Sequence, residues 1–108
     1  MEISQYQIVL VNLDPTVGHE IKKARPCLVI SPDEMNRHLQ TIIIAPITSQ
    51  SRSYPTRVQL AHDKLTGWIV LDQIRTVDRK RIIKKVGGLS GEKIDLVKGV
   101  IREMLVES

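Results

Sequence analysis

The chain has 108 residues, 42% hydrophobic and 26% charged, a length suited to one domain with its own core and a composition that argues against disorder. Sixteen basic residues against twelve acidic ones leave a formal charge of +4, which suits a polyanionic partner without requiring one. A single cysteine, Cys27, lies in an apolar run; it excludes an internal disulfide and suits a packing role in a reducing compartment.

The N-terminal run MEISQYQIVLV has no basic patch ahead of its apolar stretch and no small-residue cleavage site after it. It does not read as a signal peptide, and the expected location is cytoplasmic. Tyr6 to Leu13, dense in Ile, Val and Leu, predicts the first strand, stopped by Asp14-Pro15-Thr16-Val17-Gly18. Cys27 to Ile30 is the second, closed by Ser31-Pro32 because proline cannot continue a ladder. Asp33 to His38 suits a helical turn. Thr41 to Ile47 is apolar enough to be buried on both faces and runs into the hydroxyl-rich loop Thr48-Ser49-Gln50-Ser51-Arg52-Ser53. Thr56 to Ala61, Trp68 to Leu71 and Ile82 to Val86 supply further strands, the last broken by Gly87-Gly88, for a total of five or six. Trp68 and Tyr6, each in an apolar strand, are expected in the core.

From Glu92 to Val106 apolar residues recur at Ile94, Val97, Val100, Ile101, Met104 and Leu105, spaced for one helical face, with Ser90 placed to cap it. Residues 1–108 thus read as one mainly β domain, a small, strongly bent sheet or barrel with a C-terminal helix packed against it. The apolar runs fall far short of the roughly 20 residues a membrane helix needs, so no membrane association is expected.

The basic residues cluster in three places: Lys22, Lys23 and Arg25; Arg52 and Arg57; and six positions from Arg75 to Lys85. His19, His38 and His62 lack the spacing of a zinc site, so no metal is expected. No phosphate-binding Gly-rich loop, dinucleotide fingerprint or Gly-x-Ser-x-Gly elbow is present, so no cofactor is expected.

What remains is more specific. Leu13-Asp14-Pro15-Thr16-Val17-Gly18-His19-Glu20, followed by Arg25-Pro26-Cys27-Leu28-Val29-Ile30-Ser31, resembles the first two strands and connecting loop of MazF/PemK/Kid toxins. Ala45-Pro46-Ile47-Thr48-Ser49 is similar to the family's second active-site loop, and Leu71-Asp72-Gln73-Ile74-Arg75-Thr76-Val77-Asp78 to its Asp-Gln-x-Arg-x-x-Asp stretch. The resemblance implies an SH3-like curved barrel, a homodimer, and the toxin role in a toxin–antitoxin system. It also implies metal-independent, sequence-selective cleavage of single-stranded RNA, including mRNA, and inhibition by a cognate antitoxin with a disordered acidic segment.

The family's catalytic arginine and threonine match Arg25 and Thr48. RNA carries its own nucleophile, the 2′-hydroxyl, so such an enzyme need only position it and stabilise charge on the phosphate. Arg25 would stabilise that charge or donate a proton, since its high pKa makes it a poor base, and Thr48 would hold the phosphate through its hydroxyl. Glu20 would orient Arg25 or accept the 2′-hydroxyl proton, with His19 the alternative acceptor. The RNA-binding set implied is His19, Lys22, Lys23, Ser49, Gln50, Arg52, Tyr54, Asp72, Gln73 and Arg75, with Tyr54, in a polar loop, as the stacking candidate. The chain departs from the family in having Ile21-Lys22-Lys23-Ala24 where many relatives have Gln and Gly after the glutamate. It also lacks a glycine common before the first strand, around Gln7; both changes predict a stiffer, more basic loop. The other readings are a non-catalytic toxin of the same architecture that acts on a protein such as DNA gyrase, and a non-catalytic nucleic-acid-binding module.

Overall fold

The computed structural model describes residues 2–13, 24–62 and 65–107. Its elements in chain order are β1 (Gln7–Asn12), β2 (Ala24–Val29), α1 (Asp33–His38), β3 (Thr41–Thr48), β4 (Arg57–His62), β5 (Leu65–Val70), β6 (Arg75–Asp78), β7 (Ile82–Gly88) and α2 (Gly91–Leu105). Short 3-10 turns at Leu71–Gln73 and Arg79–Arg81 precede β6 and β7. The strands form one antiparallel sheet in the order β4-β5-β3-β2-β1-β7, with β6 also paired to β3. β4 and β7 end that order without meeting, so the sheet curls into a half-barrel, the small curved architecture expected.

Side-chain alternation along the central strands builds a core on each face. Ile8, Leu28, Ala45 and Ile47 enter one cluster with Val58, Leu60, Ile69, Leu71 and Val97 of α2. Their sequence neighbours Val9, Cys27, Val29, Ile42 and Ile44 enter the other, with Ile3, Val11 and Val77. β1, β2 and β3 each contribute to both, which is why their apolar runs are nearly unbroken. α2 lies against the first cluster. Ser90 Oγ accepts from the Lys93 backbone N–H at 3.3 Å, Val97 is fully buried, and Val100, Ile101 and Met104 pack around it. Complete burial of a side chain of this kind is worth about 1.5–3 kcal/mol. Leu105, the last member of the expected stripe, is instead 62% exposed.

Four expectations change. There are seven strands among the described residues; the additional β6 buries only Val77, so it leaves no apolar run in the sequence. Gly87-Gly88 does not break β7: Gly87 pairs with Ile8 and Gly88 with Gln7, and the register is taken up by bulges before and after the Lys84/Lys85 pairings. A glycine pair is tolerated there because β7 is an edge strand. Tyr6 does not lie in a strand. It sits before β1 with φ 66°, accepting from Leu89 N–H and donating its own N–H to Val29, while its half-buried ring packs on the first cluster. Trp68 is half-buried and lies outside both clusters, opposite Thr48 and Gln59.

α1 is tied to the sheet by a fully satisfied buried polar pair. Ser31 Oγ donates to Asn36 Oδ1 at 2.6 Å, Asn36 Nδ2 donates to the Ser31 carbonyl at 2.9 Å, and Ile43 N–H donates to Ser31 Oγ at 3.0 Å. Arg79 closes the far end of α1, donating from Nη1 to the carbonyls of Asn36 (2.5 Å) and Leu39 (3.1 Å); a cation at a helix C-terminus is favoured by the dipole.

Candidate functional site

The alternation that buries the second cluster also assembles a polar site where the strands run past it. Cys27 and Val29 face that cluster, so Arg25, two residues before Cys27 on β2, shares their face. Ile42 and Ile44 put Thr48 on the same face of β3, and Val77 puts Arg75 there on β6. Register brings them level. Cys27 pairs with Pro46 on β3, so two residues on Arg25 reaches the height of Thr48, and Arg75 pairs with Ile44.

The site opens because one edge of β3 forks. β6 pairs with its first half, Thr41 to Ile44, and β5 with its end, Ile47 and Thr48. Between them stands Pro46, which has no N–H to pair. The 3-10 turn between β5 and β6 sets Gln73 beside the gap. The resulting cleft, of about 470 Å³, is lined by Arg25, Thr48, Gln50, Arg57, Gln73 and Arg75 over apolar walls that include Pro46 and Val70.

Thr48 ends β3 in a tight turn. Its Oγ1 donates to the Gln50 carbonyl and accepts from Gln50 N–H, both at 3.3 Å; at that length the bonds are weak, and the hydroxyl can turn to a ligand at little cost. β5 lies close behind, since a Cβ on Gly67 would stand 2.5 Å from the Thr48 carbonyl oxygen. Glycine is what permits this approach.

Neither Arg25 nor Arg75 has a carboxylate partner among the described residues. Both act on Cys27 behind them: burial pushes its thiol up to about 12, against the opposing pull of Arg75 and then Arg25. The buried thiol therefore stays protonated and inert.

Arg57 is held very differently. Its Nε and Nη2 donate to Asp72 Oδ1 and Oδ2 at 3.2 and 3.3 Å, and its Nη1 donates to Ser51 Oγ at 2.6 Å. The guanidinium lies over the Tyr54 ring, 4.8 Å from its centre. Asp72 also accepts from Thr56 Oγ1 at 2.9 Å. The bond from Arg57 is the largest cause holding the Asp72 carboxyl below its ordinary value, and the same bond raises Arg57.

This cleft belongs to a fold with known relatives. A family model described as PemK-like, MazF-like toxin of type II toxin–antitoxin system matches residues 4–105. The chain belongs to this family. It is 31% identical over 99 residues to the endoribonuclease toxin MazF of Escherichia coli strain K12, covering 91% of this chain and 89% of that protein. To the endoribonuclease EndoA of Bacillus subtilis strain 168 it is 36% identical over 104 residues, covering 90% and 89%. Among solved structures, a MazE-MazF crystal structure from Deinococcus radiodurans superposes with a TM-score of 0.84 at 29% identity, over 100% of this chain and 99% of that one.

Of the site residues expected for a PemK/MazF toxin, Arg25, Thr48, Gln50, Gln73 and Arg75 line the one cleft. Asp72 and Tyr54 join it through Arg57. Ser49 and Arg52 are exposed nearby but do not line it. His19, Glu20, Lys22 and Lys23 lie outside the described residues. The basic stretch from Arg79 onward is partly structural, with Arg79 on α1 and Arg81 Nη1 donating to the Asn12 carbonyl at 3.2 Å. Arg57 was missed as a site residue. The signal was present: Val58 and Leu60 point into the core, so Arg57 must point to the other face of β4.

Proposed function

We propose that the chain is the toxin of a toxin–antitoxin pair and a metal-independent endoribonuclease that cleaves single-stranded RNA, mRNA included, at selected sequences, inhibiting translation and growth. The observation that carries this reading is the convergence of Arg25, Thr48 and Arg75 on one face of the cleft, two cations with no carboxylate partner among the described residues beside an adaptable hydroxyl. The names of the Escherichia coli and Bacillus subtilis relatives favour it over a non-catalytic, gyrase-directed toxin.

In the proposed reaction the 2′-oxygen attacks phosphorus, forming the 2′-O–P bond, and the P–O5′ bond breaks. Charge accumulates on the non-bridging oxygens, where a guanidinium is the fitting donor because it stays charged and offers a flat fork. Arg25 stabilises that charge and donates a proton to the departing 5′-oxygen. Thr48 donates its hydroxyl to a phosphate oxygen, and Arg75 holds the phosphate from the β6 side. Glu20 orients Arg25 or accepts the 2′-hydroxyl proton, with His19 the alternative acceptor. Lys22, Lys23, Ser49, Gln50, Arg52 and Gln73 contact the RNA strand around the cut. The protein acts as a cytoplasmic homodimer, consistent with Leu96 and Leu105 of the C-terminal helix and Val106 just after it, which are 50–74% exposed. Its second partner is a cognate antitoxin whose disordered acidic segment fills the cleft by mimicking phosphate charge.

The test is incubation of purified protein with long single-stranded RNA in excess EDTA. Discrete fragments are expected from the parent and none from folded Arg25→Ala, with Arg25→Lys poor because an ammonium lacks the fork. Unchanged cleavage by folded Arg25→Ala would overturn the site. Intact RNA with the parent would overturn the ribonuclease reading in favour of a binding toxin.

A further inference from the structure

Arg57 carries more fixed contacts than attachment of a loop requires. A guanidinium has five N–H donors. Asp72 takes Nε–H and one on Nη2, and Ser51 takes one on Nη1, which leaves one donor on each terminal nitrogen, in a plane set by the Tyr54 ring beneath. The side chain lines the cleft and is 21% exposed. Its charge is neutralised by Asp72, so it adds little net attraction for phosphate, a task left to Arg25 and Arg75, which have no carboxylate partner among the described residues. What it retains is direction: two ordered donors whose conformational entropy is already lost before anything binds.

We propose that Arg57 is a specificity-determining residue, reading the two adjacent acceptors, O6 and N7, of a guanine next to the scissile phosphate; this rests on the ribonuclease reading above. Guanine is the base with two neighbouring acceptors on that edge. Adenine sets an acceptor beside a donor, and the pyrimidines offer no such pair. In single-stranded RNA the edge is accessible, because unstacked bases splay out against aromatic and guanidinium planes. Asp72 is then a positioning residue that holds the fork at its angle, and Tyr54 keeps it flat.

The experiment is cleavage of a random-sequence single-stranded RNA library by the parent, Arg57→Ala, Arg57→Lys and Asp72→Asn, with cut sites sequenced, rates followed against salt, and melting curves to confirm folding. The parent is expected to cut at sites sharing a guanine at one fixed position. Arg57→Ala and Arg57→Lys should lose that preference, with kcat/KM falling about 5- to 150-fold at guanine-containing sites and little elsewhere. Asp72→Asn, which frees the Arg57 fork and leaves its charge uncompensated, should relax the same position while the salt slope steepens instead of falling. A uniform fall across all sites, with the salt slope reduced by about one, would make Arg57 a phosphate anchor and overturn the proposal. So would an unchanged cut-site pattern in folded variants, or parent sites with no common guanine. A parent that cuts no RNA at all overturns the ribonuclease reading itself, and this one with it.

Discussion

Replacing Gly67 with alanine tests whether the sheet positions Thr48. The added Cβ would lie 2.5 Å from the Thr48 carbonyl oxygen, 3.1 Å from its carbonyl carbon and 3.4 Å from Ile47 Cγ2. Close carbon–oxygen contacts in sheets lie at roughly 3.3–3.6 Å, so β5 and the end of β3 must separate by about 0.8 Å. The opposing atoms are backbone, and no side-chain rotation relieves them. Overpacking of this kind costs about 1–3 kcal/mol, with a fall in melting temperature of roughly 4–8 °C per kcal/mol for a domain of about this size. Misplacement by about 1 Å in a catalytic site costs on the order of 100-fold in rate, so Gly67→Ala should lose single-turnover RNA cleavage by about that factor well below its melting point, where the protein is folded. Trp68, the only tryptophan, pairs with Thr48 and reports both unfolding and the local shift through its fluorescence. Gly88→Ala is the control, since nothing lies within 4 Å of its added carbon. Gly67→Ala with parental melting temperature and cleavage rate would refute the argument that strand contact sets Thr48.

The opposite sign is expected at Gly99, inside α2 with open space around a new Cβ: Gly99→Ala should stabilise by roughly 0.5–1 kcal/mol, and a lower urea midpoint would contradict it. Asp72 is held below the ordinary carboxylate value near 3.8. The folded state therefore binds fewer protons than the unfolded one, and stability present above that value is lost as pH falls below it. Asp72→Asn should show a smaller drop in urea midpoint between pH 6 and pH 3 than the parent, and equal drops would exclude the pair as a contributor. Cys27 has the reverse linkage: its thiol is raised from 9.0 to about 12, so its contribution is complete below pH 9 and is lost as pH climbs towards 12. A thiol reagent at pH 8 should accordingly label the protein only at the rate of unfolding, and immediate labelling of the folded protein would show that Cys27 is not buried.

The strands dense in Ile and Val, and the helix after Ser90, were legible because their burial follows the period of the element. β6 was not, since Arg75, Thr76 and Asp78 face solvent or the cleft and only Val77 reports burial. Tyr6 was misread because a large aromatic gives no sign of a left-handed backbone, the conformation that glycine adopts at no cost. Arg25 and Thr48 were singled out through the family's motifs; the residues alone left Thr48 as a turn former, and the Gln50 contacts show that it is one of these too. The Arg57–Asp72 pair was invisible because the two stand fifteen residues apart. Only the pairing of β4 with β5, which sets Arg57 beside Val70 at the start of the turn carrying Asp72, brings them together.

β3 contributes to both hydrophobic clusters and ends in Thr48. A strand anchored on both faces cannot detach without dissolving the whole molecule, because local opening is confined to segments with few buried contacts. β3 therefore has no detached setting of its own: in the folded parent chain Thr48 stands at the cleft. Local unfolding of β3 is thus not a way to silence such an enzyme. Where β3 does not yield, a cover over the cleft can still impose silence from outside, and its lifetime then sets when cutting begins.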